Sequence, residues 1–237
     1  MRIALIGRGR LASNLAPALT EAGHDVVTIN SRTLDGLPRE ADIFIFAVKD
    51  DALAEVIARA AQGREDQLFV HTAGSLPMML FDGHIPHCGV FYPMQSFSKE
   101  RRVDFRTIPI FLEASDDASL ATMKTLADTI SDSVYELDTA GRKYLHLAAV
   151  FACNFFNHCY ALASDVLAQR NLPFNVMLPL IDETARKVHQ LHPRQAQTGP
   201  AVRRDRNVID MQSQLLADHP QLQRIYDLLS QSIQQND

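Results

Sequence analysis

The stretch Ile3-Ala4-Leu5-Ile6-Gly7-Arg8-Gly9-Arg10-Leu11-Ala12 decides the fold class of this chain. Its first four residues form a short apolar run, which is typical of a strand buried on both faces of a parallel sheet. The glycines follow at once in the pattern G-x-G-x-x-[GA], and a helical spacing of leucines begins at Leu11. A strand, a glycine turn and a helix in this order predict the start of a Rossmann-type α/β domain.

The same alternation of apolar runs and helical stretches continues to residue 138. Six further apolar runs predict strands at residues 26–29, 43–48, 68–70, 89–91, 108–112 and 134–137. Helical spacing is found at residues 11–22, 53–61 and 120–130. Pro109 predicts that its strand lies at an edge of the sheet, because proline has no N–H to donate. This alternation predicts a doubly wound, mostly parallel sheet with right-handed crossovers.

Strand signals disappear from Thr139 onward. Residues 140–169 form one long helical stretch, and further helices are predicted at residues 176–191, 201–216 and 221–233. The fold class is therefore α/β, with a Rossmann-type, doubly wound sheet over residues 1–138 and an all-α C-terminal domain over residues 139–237. We expect the first domain to bind a dinucleotide and the second to serve substrate binding and dimerisation.

Charge and composition exclude several function classes. The 237 residues carry a net charge of −5 and are 46% hydrophobic, as in ordinary globular proteins. A mildly acidic chain is a poor partner for nucleic acid, and it lacks the basic stripe that a membrane surface attracts. We find no secretory signal and no run of about 18 uncharged apolar residues, so we expect no membrane span. The three cysteines suit reduced thiols in the cytoplasm.

The glycine loop and the neighbouring strand ends predict a dinucleotide site. Gly7 permits the tight turn, Gly9 lets a pyrophosphate approach the backbone, and Ala12 is small enough for the helix to pack on the strand. The helix N-terminus offers unpaired N–H groups to the phosphates. The predicted cofactor-binding residues are Gly7, Gly9, Arg10, Leu11, Ala12, Ser31, Arg32, Ala47, Val48, Thr72, Ala73 and Gly74.

The end of the second strand favours NADP over NAD. An NAD site places an acid there, on the ribose 2′-hydroxyl, but this chain reads Asn30-Ser31-Arg32-Thr33. Ser31 is a hydrogen-bond donor, and Arg32 matches a phosphate dianion in a bidentate geometry. The alternative is that Arg32 is an ordinary surface arginine and that Arg8 and Arg10 take this role.

A polar stripe marks the long helix of the second half. At about 100° per residue, Lys143, His146, Val150, Asn154 and Asn157 fall on one side of a helix that is apolar nearly all round. Such a helix is expected to be buried, where polar side chains need partners. We predict His146, Asn154 and Lys143 as catalytic residues, with His146 as general acid and Asn154 orienting a substrate. The alternative is a packed dimer core.

Other polar residues leave the assignment of the acid and of the substrate contacts open. His71 or Lys143 remains an alternative to His146 as the acid. Ser75 and Arg203 are predicted to bind substrate, Arg203 because Pro200 is well placed to begin a helix whose N-terminus would hold a carboxylate or phosphate. The pairs His84/His87 and His189/His192 lack a third ligand, so we predict no metal.

Four segments carry a resemblance to a known family. They are His71-Thr72-Ala73-Gly74-Ser75, Tyr92-Pro93-Met94-Gln95-Ser96-Phe97, His146-Leu147-Ala148-Ala149-Val150-Phe151-Ala152-Cys153-Asn154 and Thr198-Gly199-Pro200-Ala201-Val202-Arg203. The N-terminal half resembles the coenzyme F420-dependent NADP oxidoreductases and the pyrroline-5-carboxylate reductases. The C-terminal half resembles the domain of unknown function 2520, a helical relative of the 6-phosphogluconate dehydrogenase C-terminal domain. Two positions depart from the family pattern: Tyr92 replaces a histidine and Arg204 replaces a glycine.

Together these observations support two hypotheses from different classes. The first is an NADP-dependent oxidoreductase that acts on a small polar, carboxylate-bearing substrate; the second is a dinucleotide-binding sensor or scaffold without turnover. The apolar surplus of the long helix predicts a homodimer, because large exposed apolar patches are rare on monomers. The resemblance implies the same mode of dimerisation through the helical domain.

Overall fold

The structure, a computed structural model, describes residues 1–81 and 85–235. His84, one member of a predicted histidine pair, lies outside these ranges. The chain divides into two compact units, Met1–Asn154 and Phe155–Asp237.

A β-sheet forms the centre of the first unit. Its described strands are β1 (Arg2–Ile6), β2 (Asp25–Ile29), β3 (Ile43–Phe46), β4 (Phe69–His71), β5 (Cys88–Pro93), β6 (Ile110–Ala114) and β7 (Val134–Glu136). They lie in the order β2-β1-β3-β4-β5-β6-β7. The pairs β2–β1, β1–β3, β3–β4 and β4–β5 are parallel, β6 runs antiparallel to β5, and β7 is parallel to β6. The predicted doubly wound, mostly parallel sheet is confirmed.

The edge position predicted from Pro109 is wrong. Strand β6 is the second strand from its end of the sheet, and β7 lies outside it. Pro109 precedes β6, where its carbonyl accepts a hydrogen bond from Met94 N. The ladder toward β7 starts at the next residue, since Ile110 N donates to Ser133 O. A proline just before a strand costs no ladder hydrogen bond, which is why it tolerates an interior position.

Helices cover both faces of this sheet. They are α1 (Arg10–Glu21), α2 (Asp50–Ala61) and α3 (Asp117–Asp128), and the chain then continues into α4 (Thr139–Ala149). Alternate side chains of the strands enter two separate cores, because successive residues of a strand point to opposite faces. Ile3 and Leu5 belong to the core of α1 and α3, whereas Ala4 and Ile6 belong to the core of α2. All four are at most 1% exposed.

The described residues of the second unit contain helices and turns and no strand. The helices are α5 (Phe156–Ala168), α6 (Leu178–Lys187), α7 (Pro193–Ala196), α8 (Arg206–Gln214) and α9 (Pro220–Gln235). The helix predicted from residue 201 begins later: residues 200–204 form turns, and Asp205 caps α8 by accepting a hydrogen bond from Val208 N. Arg203 therefore does not lie at a helix N-terminus, and the reason given for its anion binding is wrong.

The long helix is exposed in the single chain. The expectation that it is buried is therefore wrong for one chain by itself. Tyr144 is 78% exposed, Leu147 53% and Phe156 50%. Its full span, Thr139–Ala168, is long and apolar enough to cross a membrane by length and composition, which corrects the expectation from the sequence. Residues 144–164 carry no Asp, Glu, Lys or Arg. A single helix of this kind is weak evidence for a membrane, because core helices of soluble proteins meet the same criterion.

Candidate functional site

The glycine loop between β1 and α1 provides an open, uncapped helix N-terminus. Gly7 has φ of +132°, and a Cβ at this position would collide with the backbone carbonyl of Ala47. A Cβ on Gly9 would meet nothing within 4 Å. Gly9 is the N-cap of α1, and no side chain caps the helix there. The first N–H groups of α1 thus face space that a phosphate can enter, as the motif predicts.

A cavity of about 720 Å³ adjoins this loop and is rich in arginine. Its wall includes Arg8, Ser31 and Arg32, and also Arg59 from α2. Arg59 Nη2 donates to the carbonyl of Arg32 at 2.9 Å, and Arg32 N donates to Asn30 Oδ1 at 3.0 Å. Arg59 was not predicted from the sequence, because it lies 27 residues beyond Arg32 and only the packing of α2 brings it to this place. Lys49 also lines the cavity, as does Glu55, whose Oε1 lies 3.6 Å from Arg59 Nη1. The cations outnumber this one carboxylate, so the cavity has the positive charge that an added phosphate requires.

A second crevice, of about 680 Å³, continues past the strand ends. It contains most of the remaining predicted cofactor-binding residues, namely Arg10, Leu11, Ala47, Val48, Thr72, Ala73 and Gly74. Thr72 Oγ1 donates to the carbonyl of Phe46 and so fixes the end of β4 against β3. Ser75, predicted to bind substrate, also lines the crevice and donates to Asp50 Oδ2 at 2.7 Å. Ala12 is buried in the core beneath α1, where its small size matters for packing.

Tyr92 and His146 meet in the wall of this crevice. Tyr92 Oη lies 3.1 Å from His146 Nδ1, and both side chains line the crevice. Gly74 makes the pair possible, since a Cβ there would lie 2.6 Å from His146 Nδ1 and 2.8 Å from Tyr92 Cζ. Burial raises the pKa of Tyr92, so the phenol keeps its proton at neutral pH. Tyr92 was noted in the sequence only as a departure from the family's histidine and was not predicted as a site residue. Gly74 serves this contact as well as the crevice.

A third cavity, of about 470 Å³, shares Tyr92, Gln95 and His146 with the crevice. Asn154 also lines it, so the structure brings His146 and Asn154 together as predicted. It does so by a device that the periodicity did not reveal: residues Val150–Phe155 form a π-helical turn. One extra residue in a turn shifts the helix phase by about 100°, which changes the angle between His146 and every residue after the turn. Such turns are frequent at functional sites.

Lys143 lies outside this arrangement. Its side chain is exposed and lines none of the described cavities. Its neighbour Arg142 is instead 1% exposed and pairs with Glu113, while its Nη2 donates to the carbonyl of Leu76. This buried ion pair ties the start of α4 to β6 and to the loop after β4. His146 follows one helical turn later on α4, the helix whose start this ion pair holds.

His71 is a packed residue of β4. It is fully buried, its Nδ1 accepts from Ala73 N at 3.2 Å, and its Nε2 lies 3.3 Å from the carbonyl of Pro77. Burial lowers its pKa to about 4, so the imidazole is neutral at physiological pH. A neutral ring with both nitrogens engaged is poorly suited to give a proton to a ligand, and this favours His146 as the acid.

The described residues contain no cluster of three or more metal-ligating side chains. Two of the histidines considered as metal ligands make other contacts. His192 Nδ1 accepts from Arg194 N and caps α7. His87 Nδ1 lies 3.1 Å from Asp116 Oδ2. Arg203 is exposed in the second unit.

Comparison with known proteins adds an independent line of evidence. The family described as "Domain of unknown function (DUF2520)" matches residues 108–233. A solved structure of a candidate NADP oxidoreductase from Bacteroides fragilis is similar with a TM-score of 0.92 and 50% identity, over 99% of this chain and 98% of that one. A search of curated proteins finds no significant match.

Two more distant structures share the fold. One is a pyrroline carboxylate reductase from Plasmodium falciparum with NADP bound, with a TM-score of 0.63 and 11% identity over 99% of this chain and 98% of that one. The other is an imine reductase from Myxococcus stipitatus in complex with NADP+, with a TM-score of 0.65 and 16% identity over 99% and 93%. At these identities the likeness concerns the fold alone.

Proposed function

Because the chain belongs to the family of the domain of unknown function 2520, we propose that it is an NADP-dependent oxidoreductase acting on a small polar substrate. The observation that carries this proposal is the continuity of one crevice, which runs from the uncapped glycine loop to the Tyr92–His146 pair. The name of the Bacteroides fragilis relative, 50% identical over nearly the whole chain, supports the same reaction class.

The residues around the glycine loop fit a dinucleotide. Gly9 has no side chain, and the space beside it is open to a ligand. The first N–H groups of α1 have no side-chain cap. Ser31, Arg32, Arg8 and Arg59 surround the adjoining cavity and would hold the 2′-phosphate that distinguishes NADP from NAD. When bound, the nicotinamide supplies or accepts the hydride. The protein's own part is to place a C=O or C=N bond and to move a proton.

His146 is the proton donor of this proposal. The contact with Tyr92 engages Nδ1 and fixes the ring, which leaves Nε2 as the nitrogen for proton exchange. In the direction of reduction, the imidazolium gives its Nε2 proton to the substrate oxygen or nitrogen and becomes neutral. Tyr92 orients the ring, and Asn154 offers an amide to the same cavity.

Two lysines in the crevice concern the charge of the substrate. A carboxylate on the substrate is supported by Lys49 and Lys99, which line the crevice and offer cations to it. Roles for Ser75, Arg203 and Lys143 remain predictions.

We assign dinucleotide binding to residues 1–138 and substrate binding to the helices that follow. We place the protein in the cytoplasm as a homodimer, since its three cysteines are free and its long helix exposes apolar side chains.

The test is the variant His146→Ala. We expect NADPH affinity, measured by fluorescence titration, to change less than twofold, and NADPH oxidation by a panel of small ketones and imines to fall by about 10²- to 10⁴-fold. His189→Ala, at an exposed position, is the matched control. If the unaltered protein binds NADPH tightly and no member of the panel oxidises it, the sensor or scaffold reading replaces the enzyme.

A further inference from the structure

The cavity of about 470 Å³ differs in chemistry from the crevice beside it. The apolar part of its wall consists of Met94, Leu145, Ala148, Ala149 and Ala152. The polar part includes the uncharged side chains of Ser96 and Asn154, and it also includes His146, the proton donor of the proposed function. Among the described residues, none that lines this cavity is an Asp, Glu, Lys or Arg. The crevice, by contrast, contains Arg10, Lys49, Asp50 and Lys99.

This contrast divides the possible ligands. A charged group placed in the cavity away from His146 would lose water without gaining a partner of opposite charge, which is costly. A hydrocarbon group placed there would remove apolar surface from water, which is favourable by about 25 cal/mol per Å². The volume lies within the range of pockets that hold small molecules, roughly 300–1,000 Å³.

The position of the cavity connects it with the reaction. Tyr92, Gln95 and His146 belong to both walls, so a ligand held at His146 reaches into both spaces. Resting on the function proposed above, we infer that the cavity binds the uncharged hydrocarbon body of the substrate while its C=O or C=N bond lies at His146. A carboxylate on the same molecule would point to the crevice and its lysines. The substrate class is thus a small ketone or imine with a compact alkyl or ring body.

The small residues of the long helix set the size of this body. Ala148 and Ala152 are one helical turn apart and both line the cavity. Leucine has three more side-chain carbon atoms than alanine, so Ala152→Leu fills part of the space with apolar volume. Ala58 of α2 is exposed and lines none of the described cavities, which makes Ala58→Leu a matched control.

The experiment uses two probes of nearly equal shape: cyclohexanone with a methyl group opposite the carbonyl, and the same ring with a carboxylate at that position. Their binding to the full chain saturated with NADP+ is measured by calorimetry, since the oxidised cofactor cannot reduce them. We expect the methyl compound to bind at least tenfold more tightly than the carboxylate. We expect Ala152→Leu to weaken the methyl compound at least tenfold and Ala58→Leu to leave it unchanged, with NADP+ affinity constant in both.

The outcomes separate the inference from the function beneath it. Equal or tighter binding of the carboxylate, no binding of the methyl compound, or no effect of Ala152→Leu overturns the inference. If a side chain of a second copy filled the cavity, the methyl compound would not bind. Loss of the proposed function would be seen elsewhere, as failure of the unaltered protein to bind NADP+ or to oxidise NADPH with any ketone or imine.

Discussion

Among single residues, His71 carries a pH dependence that its burial explains. Its native pKa is about 4, against 6.5 as the ordinary value, because burial disfavours the imidazolium. Between these values the unfolded chain binds more protons than the native one, so the free energy of unfolding falls as the pH is lowered from about 6.5 to about 4. The shift corresponds to a loss of up to about 3 kcal/mol, complete below the lower value.

Urea denaturation at a series of pH values checks this prediction. The variant His71→Asn keeps an acceptor near Ala73 N and has no titrating ring. Between about pH 4 and 6.5, its free energy of unfolding should therefore depend less on pH, by the contribution of about one proton. His189→Asn, at an exposed position, should keep the slope of the unaltered protein. An unchanged slope in His71→Asn would show that another group causes the acid sensitivity.

Arg204 is a second residue with a local consequence. Its φ of 53° lies in the left-handed region, which costs a side chain with a Cβ about 1–2 kcal/mol and costs glycine little. The substitution Arg204→Gly should therefore stabilise the protein by about 1 kcal/mol, measured by chemical denaturation. Arg203→Gly, one residue earlier and not in that region, should bring no gain. A destabilised Arg204→Gly variant would show that the arginine side chain makes contacts that outweigh the strain.

At the scale of elements, α2 supports the loop that follows β2. Arg59 holds the carbonyl of Arg32 and lines the same cavity, so it both shapes the loop and adds a positive charge. Arg59→Ala and Arg32→Ala should each weaken NADP binding by roughly 1.5–3 kcal/mol, the scale of charge-assisted hydrogen bonds, and change NAD binding little. Calorimetric titration of both cofactors measures the difference.

Arg101→Ala is the control for these two variants, because Arg101 is exposed and lines none of the described cavities. Equal affinity of the unaltered protein for NADP and NAD would contradict the assignment of the arginines to the 2′-phosphate. A parallel loss of both cofactors in Arg59→Ala would assign Arg59 to the shape of the loop alone.

For the whole molecule, the exposed apolar side chains of the long helix predict a homodimer. Tyr144, Leu147 and Phe156 are each at least half exposed in the single chain, and pairing about a two-fold axis is the commonest way to cover such a surface. Light scattering at micromolar concentration should give a mass near twice the 26.5 kDa of the chain. Leu147→Glu should shift the mass toward that of one chain, because a carboxylate opposes burial.

Two results would contradict the dimer. One is a mass of 26.5 kDa that does not change with concentration or with added NADP. The other is flotation of the protein with neutral lipid vesicles in place of self-association, which would assign the apolar helix to a membrane. A charge change at an exposed position outside this helix, Glu40→Gln, serves as the control and should leave the mass unchanged.

Sequence alone determined the features that contiguous residues encode. The apolar run, glycine loop and helix at the N-terminus specified the Rossmann-type fold, because each is a local pattern with a local physical cause. Ser31 and Arg32 indicated NADP for the same reason, and the name of the Bacteroides fragilis relative, which is 50% identical, agrees with that choice. The quoted motifs also sufficed for the resemblance to the family, which the match over residues 108–233 confirms.

Tertiary structure decided what depends on residues far apart in the chain. Tyr92, Gly74 and His146 come from two strand ends and a helix, and no spacing rule connects them. Arg59 reaches Arg32 because α2 packs beside β2's loop, and the π-helical turn shifts the helix phase in a way that a constant angle per residue does not anticipate. The chemistry of the cavities likewise depends on which side chains meet, and packing in three dimensions determines that.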